Sequence, residues 1–162
     1  VREAGSVLSG NGNTGADPEV LVAISNLSAN MGAANITEIE FVTTSFDKSD
    51  GGNIDVLVRF NEPVTVTGTP RVSITNGNQG SGTGRGPHLA NYLSGSTTNE
   101  LTFRCTIGAA NSATNAGDIL VIGTNATALN SGTIKDTGEG TVATITNTSA
   151  QGTAAGSITV AA

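Results

Sequence analysis

The sequence predicts an all-β protein, built as a sandwich of two sheets. Three observations favour this fold class. Apolar and polar residues alternate along short runs, the period of two that is typical of a strand with one buried face. Such runs recur about every 8–12 residues, as they do in sandwiches. The turns between them are rich in Gly, Asn and Thr, and the chain of 162 residues contains 22 glycines, enough to supply a turn after every run.

The predicted sandwich begins at Ile36. In the first strand, Ile39 and Phe41 lie on one face while Glu38 and Glu40 lie on the other. Because successive side chains of a strand point to opposite faces, the two apolar residues are expected in the core. The two glutamates are expected on a face that meets solvent or another protein.

The remaining strands follow a turn at residues 47–52. Their expected core residues are Ile54, Val56, Val58 and Phe60, then Val64 and Val66 in a new strand after a break at Pro63, then Val72 and Ile74, Ala90 and Tyr92, and finally Leu101, Phe103, Cys105 and Ile107. Residues 117–122 and 141–146 are expected to supply the last two strands. Beyond residue 35, no stretch has a helical period.

The first 35 residues have a different composition and are interpreted as an N-terminal arm. A loop rich in Gly and Asn precedes the apolar run Val20–Ile24, which suits either a short helix begun by Asp17 and Pro18 or a strand. A finished sandwich has no need of this apolar run. Val20, Val22 and Ile24 are therefore predicted to bind a partner protein.

The last 16 residues, 147–162, are interpreted as a C-terminal tail behind a sandwich that spans residues 36–146. Ser157–Val160 can form a strand but has no place in the predicted sandwich, so Ile158 and Val160 are also predicted to bind a partner by strand addition. The alternative is that the arm and the tail both fold back onto their own domain.

Charge and composition exclude several classes of function. A net charge of −6 would repel a phosphate backbone, so nucleic acid is not expected as a partner. No run approaches the 20 or so apolar residues of a membrane helix, and no membrane partner is expected. Only 12% of the residues are charged, which suggests that much of the surface meets protein. Val1 is interpreted as the residue after a removed initiator Met, with precursor cleavage as the alternative.

Three segments of residues 51–146 carry a distinctive combined pattern, made up of Phe60, Glu62, Val64, Val66, Gly68 and Pro70, then Tyr92, Ser94, Gly95, Leu101 and Phe103, then Gly132, Thr133, Ile134, Asp136 and Gly138. With this pattern the chain resembles a bacterial immunoglobulin-like repeat found in surface proteins of cyanobacteria and other bacteria and in structural proteins of their phages. Two departures are Cys105, which replaces an aromatic residue, and the loop Asn76–Pro87, which is longer than the family's turn.

The resemblance implies an immunoglobulin-like sandwich and a non-enzymatic role. The expected function is that of a phage virion protein, a capsid decoration or cement protein that binds the major capsid protein and copies of itself. The alternative is an adhesion or spacer module at a bacterial cell surface. A third interpretation, a carbohydrate-binding module, is disfavoured because the chain has no Trp and one Tyr to stack against sugars.

No residue pattern predicts catalysis or a bound cofactor. His88 is the only histidine and lies with Arg85 in a glycine-rich loop; a structural hairpin or contact loop is expected there, with an anion cradle as the alternative. Cys105 is expected to be an unreactive core thiol. No bound metal is expected. The alternative is a calcium ion held by carboxylates that lie in turns, namely Asp47, Asp50, Asp136 and Glu139. Asp136 is instead expected to bind the backbone of its own turn.

Overall fold

A computed structural model describes residues 32–77, 86–110 and 113–162, and these form nine strands and one short helix. The elements are β1 (Ile36–Phe41), β2 (Phe46–Asp47), β3 (Gly52–Thr67), β4 (Arg71–Asn76), β5 (His88–Ser94), β6 (Thr98–Ile107), β7 (Ile119–Ala128), β8 (Thr133–Asp136), α1 (Ser149–Ala154) and β9 (Ser157–Ala161). The prediction of an all-β protein is confirmed.

The strands follow one another in the order β1-β3-β6-β5-β4-β7-β9-β2, and β8 pairs with the far end of β3. Only β2 and β9 pair in parallel; the other pairs of strands are antiparallel. The two end strands, β1 and β2, are joined directly by residues 42–45. Five peptide steps span at most about 18 Å, so the sheet must curl until its two ends come close together.

The concave side of the curled sheet encloses an aliphatic core. Alternation predicts its members well: Ile54, Val56, Val58 and Phe60 of β3 are buried, and so are Leu101 and Phe103 of β6, Val72 and Ile74 of β4, and Ala90 of β5. Tyr92 of β5 packs edge-on against Phe103, with ring centroids 6.0 Å apart. Cys105 is only partly buried and packs at the margin of the core.

Pro63 does not break the strand, contrary to the sequence prediction. β3 continues through it as far as Thr67, because the chain changes partners at this point rather than turning away. The register with β6 shifts between Arg59 and Val64, and beyond the shift β3 pairs with β8. Pro63 has no N–H to donate, but its carbonyl accepts a hydrogen bond from Thr137 N at 3.0 Å, so the proline costs the ladder little.

The prediction of a strand at residues 141–146 is also wrong. This segment makes two isolated bridges, Lys135 with Val142 and Asn35 with Thr144, instead of a ladder. Its backbone groups alternate between two neighbours: Ala143 N donates to Ile134 O, and Thr144 N donates to Ala34 O. The segment therefore fills a gap between β8 and the residues that lead into β1, which no local pattern specifies.

The sequence analysis missed α1, although the chain carries a start signal for it. Thr148 and Gln151 form a capping box, in which the Thr148 hydroxyl accepts from Gln151 N and the Gln151 side chain accepts from Thr148 N. The helix also joins β1 to β7. Gln151 Nε2 donates to the carbonyls of Ile36 and Thr37 at 3.1 Å, and a Cβ at Gly152 would lie 2.5 Å from Ile122 O.

The prediction that Ser157–Val160 is an unpaired strand is wrong. β9 pairs antiparallel with β7 and parallel with β2, so both of its edges are occupied. Ile158 and Val160 are each 1% exposed because they fill the core beneath β7 and β2. The C-terminal segment thus folds back onto its own domain. Val20, Val22 and Ile24 lie outside the described residues.

The burial of β9 predicts a large cost for truncating its core residues. Ile158→Ala is expected to lower the free energy of unfolding by about 2–5 kcal/mol, measured by urea denaturation, because it removes buried methyl groups and leaves a cavity. Ile119→Ala, the same change at a residue that is 48% exposed in β7, is the matched control and should cost much less. Equal losses in the two variants would contradict the placement of β9.

Candidate functional site

The outer face of β1, β3 and β6 carries an ordered set of ion pairs. Arg59 of β3 lies directly opposite Glu100 of β6 and Glu38 of β1 in the strand register. Its guanidinium contacts Glu38 at 2.6 Å, Glu100 at 2.9 Å and Glu40 at 3.0 Å. The hydrogen bonds that Arg59 donates to Glu100 and Glu38 raise the pKa of Arg59 above its usual value. One cation is therefore shared among three carboxylates, which leaves this end of the face net negative.

A second ion pair extends the same face toward β5. Arg104 of β6 lies opposite Asp55 of β3 and donates two hydrogen bonds to its carboxylate, each 2.7 Å long. This bidentate geometry fixes both side chains, and it raises the pKa of Arg104. The prediction that Glu38 and Glu40 share an outward face is confirmed. Arg59, which binds both glutamates, could have been found as an opposite charge at an outward position of the neighbouring strand.

The outward side of β5 adds apolar area beside these ion pairs. Leu89 and Leu93 are 38% and 48% exposed, and Asn91 between them lies opposite both Arg71 of β4 and Arg104 of β6. We call the outward side of β1, β3, β5 and β6 the charged face. It combines exposed leucines with side chains whose charges are already paired within the chain, a composition suited to contact with protein.

The two ends of the folded chain lie at opposite poles of the domain. At the entry pole, Asn35 exchanges hydrogen bonds with Asn61, and Ile36 N donates to Thr144 O. At the exit pole, Lys48 N donates to Ala161 O, next to the start of β3 at Gly52. About eight residues of β3 separate Asn61 at the entry pole from the start of β3 at the exit pole. This length corresponds to about 26 Å at the rise of an antiparallel strand.

A buried polar cluster occupies the exit pole. The Asp118 carboxylate is fully buried and accepts hydrogen bonds from Asn76 Nδ2 at 2.8 Å and Asn115 N at 2.9 Å. His88 is also buried, and its Nε2 has no hydrogen-bond partner among the residues that the structure describes. The structure places this histidine at the start of β5, on the core side with Ala90, rather than in the glycine-rich loop. Arg85 lies outside the described residues.

The four carboxylates considered for calcium do not come together. Asp47 lies at the exit pole, where its Oδ1 accepts from Ser49 N and Ser49 Oγ, which lowers its pKa. Asp136 pairs with Val64 at the other end of β3. Its Oδ1 accepts from the backbone N–H groups of Gly138 and Glu139, so the prediction that it holds its own turn is confirmed.

Cys105 has the character of an unreactive thiol, as the sequence analysis predicts. Its side chain packs against the margin of the core, and burial raises its pKa above the usual value. A raised pKa keeps the thiolate fraction low at neutral pH, and the thiolate is the nucleophilic form.

Two further observations concern sites and membranes. Within the part of the chain that the structure describes, no three His, Cys, Asp or Glu side chains are grouped as metal ligands. Among the same residues, no helix has the length and apolar character needed to cross a membrane.

Comparison with protein families, curated proteins and solved structures finds no match to this chain.

The buried His88 predicts a specific pH dependence of stability. Burial lowers its pKa below the usual 6.5, while Asp118 opposes the shift. A depressed folded-state pKa means that the unfolded chain takes up the proton first, so the contribution of neutral His88 is present above pH 6.5 and is lost as the pH falls toward the lower folded-state value.

The measurement is the free energy of unfolding from about pH 7.5 to about pH 5, the range in which histidine titrates. His88→Gln should flatten the loss of stability in this interval, because His88 is the only histidine of the chain. An unchanged slope in this variant would show that other groups cause the loss.

Proposed function

We propose that the domain is an immunoglobulin-like sandwich. The strand order supports this: β1-β3-β6-β5 corresponds to the A-B-E-D sheet of that fold, and β4-β7-β9 corresponds to its C-F-G sheet. The pairing of β4 with β5 joins the two layers into one continuous path. The chain has one cysteine and no Trp, so a core of aliphatic residues with Phe103 takes the place of the disulfide and tryptophan of antibody domains.

We propose further that the protein is a non-enzymatic structural protein of a phage virion, a capsid decoration protein that binds the major capsid protein and copies of itself. The placement of the two ends at opposite poles carries this proposal. The segment that contains Val20, Val22 and Ile24 precedes β1 and therefore joins the domain at the entry pole. Attachment through those apolar residues would leave the charged face and the exit pole available to neighbouring subunits.

The same observation favours a second candidate, a spacer module of a bacterial surface protein. A domain that the chain enters at one pole and leaves at the other can be linked in series, so that each copy adds its length to a stalk. The two candidates differ in genetic context. A surface protein would carry further repeats and an export signal in the same gene, whereas a decoration protein would be encoded beside capsid genes.

Attachment through the N-terminal segment can be tested on full-length protein. In the variant Val22→Asp with Ile24→Asp, two charges replace apolar residues whose burial at a partner would be worth about 1.5–3 kcal/mol each. We expect this variant to fold normally by circular dichroism. We also expect it to lose cosedimentation with capsids from the phage identified by gene context.

The matched control is Val42→Asp with Val142→Asp, the same charge change at two residues that are 54% and 57% exposed within the domain. The control should bind capsids as the unaltered protein does. Full binding of capsids by the Val22 and Ile24 variant would contradict the attachment hypothesis. If the gene proves to encode many repeats, the spacer function is favoured instead.

A further inference from the structure

Near the entry pole, a buried carboxylate has one oxygen without a partner. Asp136, the last residue of β8, is 2% exposed. Its Oδ1 accepts hydrogen bonds from Gly138 N at 2.6 Å and Glu139 N at 2.9 Å. Its Oδ2 is also buried and accepts no hydrogen bond from the residues that the structure describes. The turn that follows Asp136 supplies the hydrogen-bond donors for Oδ1. It supplies none for Oδ2.

A second buried acid lies on the neighbouring strand. Glu62 of β3 is 9% exposed, and within the described part of the chain its side chain accepts one long hydrogen bond, from Asn61 Nδ2 at 3.5 Å. The arginines of the charged face are committed elsewhere: Arg59 binds Glu38, Glu40 and Glu100, and Arg104 binds Asp55. Among the described ion pairs, none includes Glu62 or Asp136.

The strand register places these two acids on the same side of the β3–β8 pair. Val64 is the direct partner of Asp136, and Thr137 N donates to Pro63 O, which continues the ladder by one residue. Glu62 is two residues from Val64 and is therefore diagonal to Asp136, a relationship that separates Cβ atoms by about 7 Å.

A buried carboxylate oxygen without a partner, on the same side of the strand pair as a second carboxylate, favours a bound cation. The donors are oxygen atoms only, which suits a hard cation. Calcium accepts six to eight oxygen ligands at about 2.3–2.6 Å in flexible geometry, including backbone carbonyls and water. We propose that Glu62 and Asp136 Oδ2 bind a calcium ion, which ties the β8 turn to β3.

The test compares thermal unfolding of the full chain in CaCl₂ and in EGTA. Calcium at about 100 times its dissociation constant should raise the Tm by about 5–10 °C for a domain of this size. Asp136→Asn should abolish this shift while keeping the Oδ1 acceptor of the turn, and Glu62→Gln should reduce or abolish it. Asp50→Asn, the same chemical change at an exposed residue of the opposite pole, should leave the shift intact.

The opposite pattern would overturn the proposal. If the two acids instead share a proton, calcium will not change the Tm, and either neutral variant will raise it in EGTA. If calcium raises the Tm of Asp136→Asn as much as that of the unaltered protein, the ion binds elsewhere. MgCl₂ in place of CaCl₂ should give a smaller shift, because Mg²⁺ demands octahedral geometry and sheds its water reluctantly.

Discussion

The structure depends most on the pairing of β3, a strand of 16 residues that holds three others. Its first part lies between β1 and β6, and its last four residues, Val64–Thr67, pair with β8. Its residues Ile54, Val56 and Val58 are fully buried. Because β1 pairs with β3 and leads at once into β2, the position of β3 also determines where the curled sheet closes.

The closure itself is made by the C-terminal segment. α1 contacts β1 through Gln151 and β7 through Gly152, and β9 then lies between β7 and β2. Residues that the sequence assigns to a separate tail are therefore part of the core. β7 pairs with residues 157–159 of β9 and β2 pairs with residues 160 and 161, so β9 is held in its own domain on both sides.

Alternation predicted the strands that have one face in the core and one in solvent. β3 and β6 are of this kind, and their buried residues agree with the prediction at nearly every position. The failures occur where long-range partners decide. Residues 141–146 have a strand pattern but bridge two different neighbours, and β9 has only five residues, whose partners are set by the curl of the sheet. His88 could have been assigned to the core, because it lies two residues before Ala90 and therefore points to the same face of the strand.

The buried ionisable side chains of the described residues lie near the two poles, whereas the core between the poles is largely apolar. Asp118 and His88 lie at the exit pole, and Glu62 and Asp136 lie near the entry pole. A buried charge in the middle would interrupt the packing of the core, but at a pole its cost falls on one turn and the adjacent strand ends. The described chain also enters the domain near one pole and leaves it near the other. A cation bound at the turn of Asp136 would therefore change the stability of one pole, while the core that maintains the shape of the domain stays unchanged.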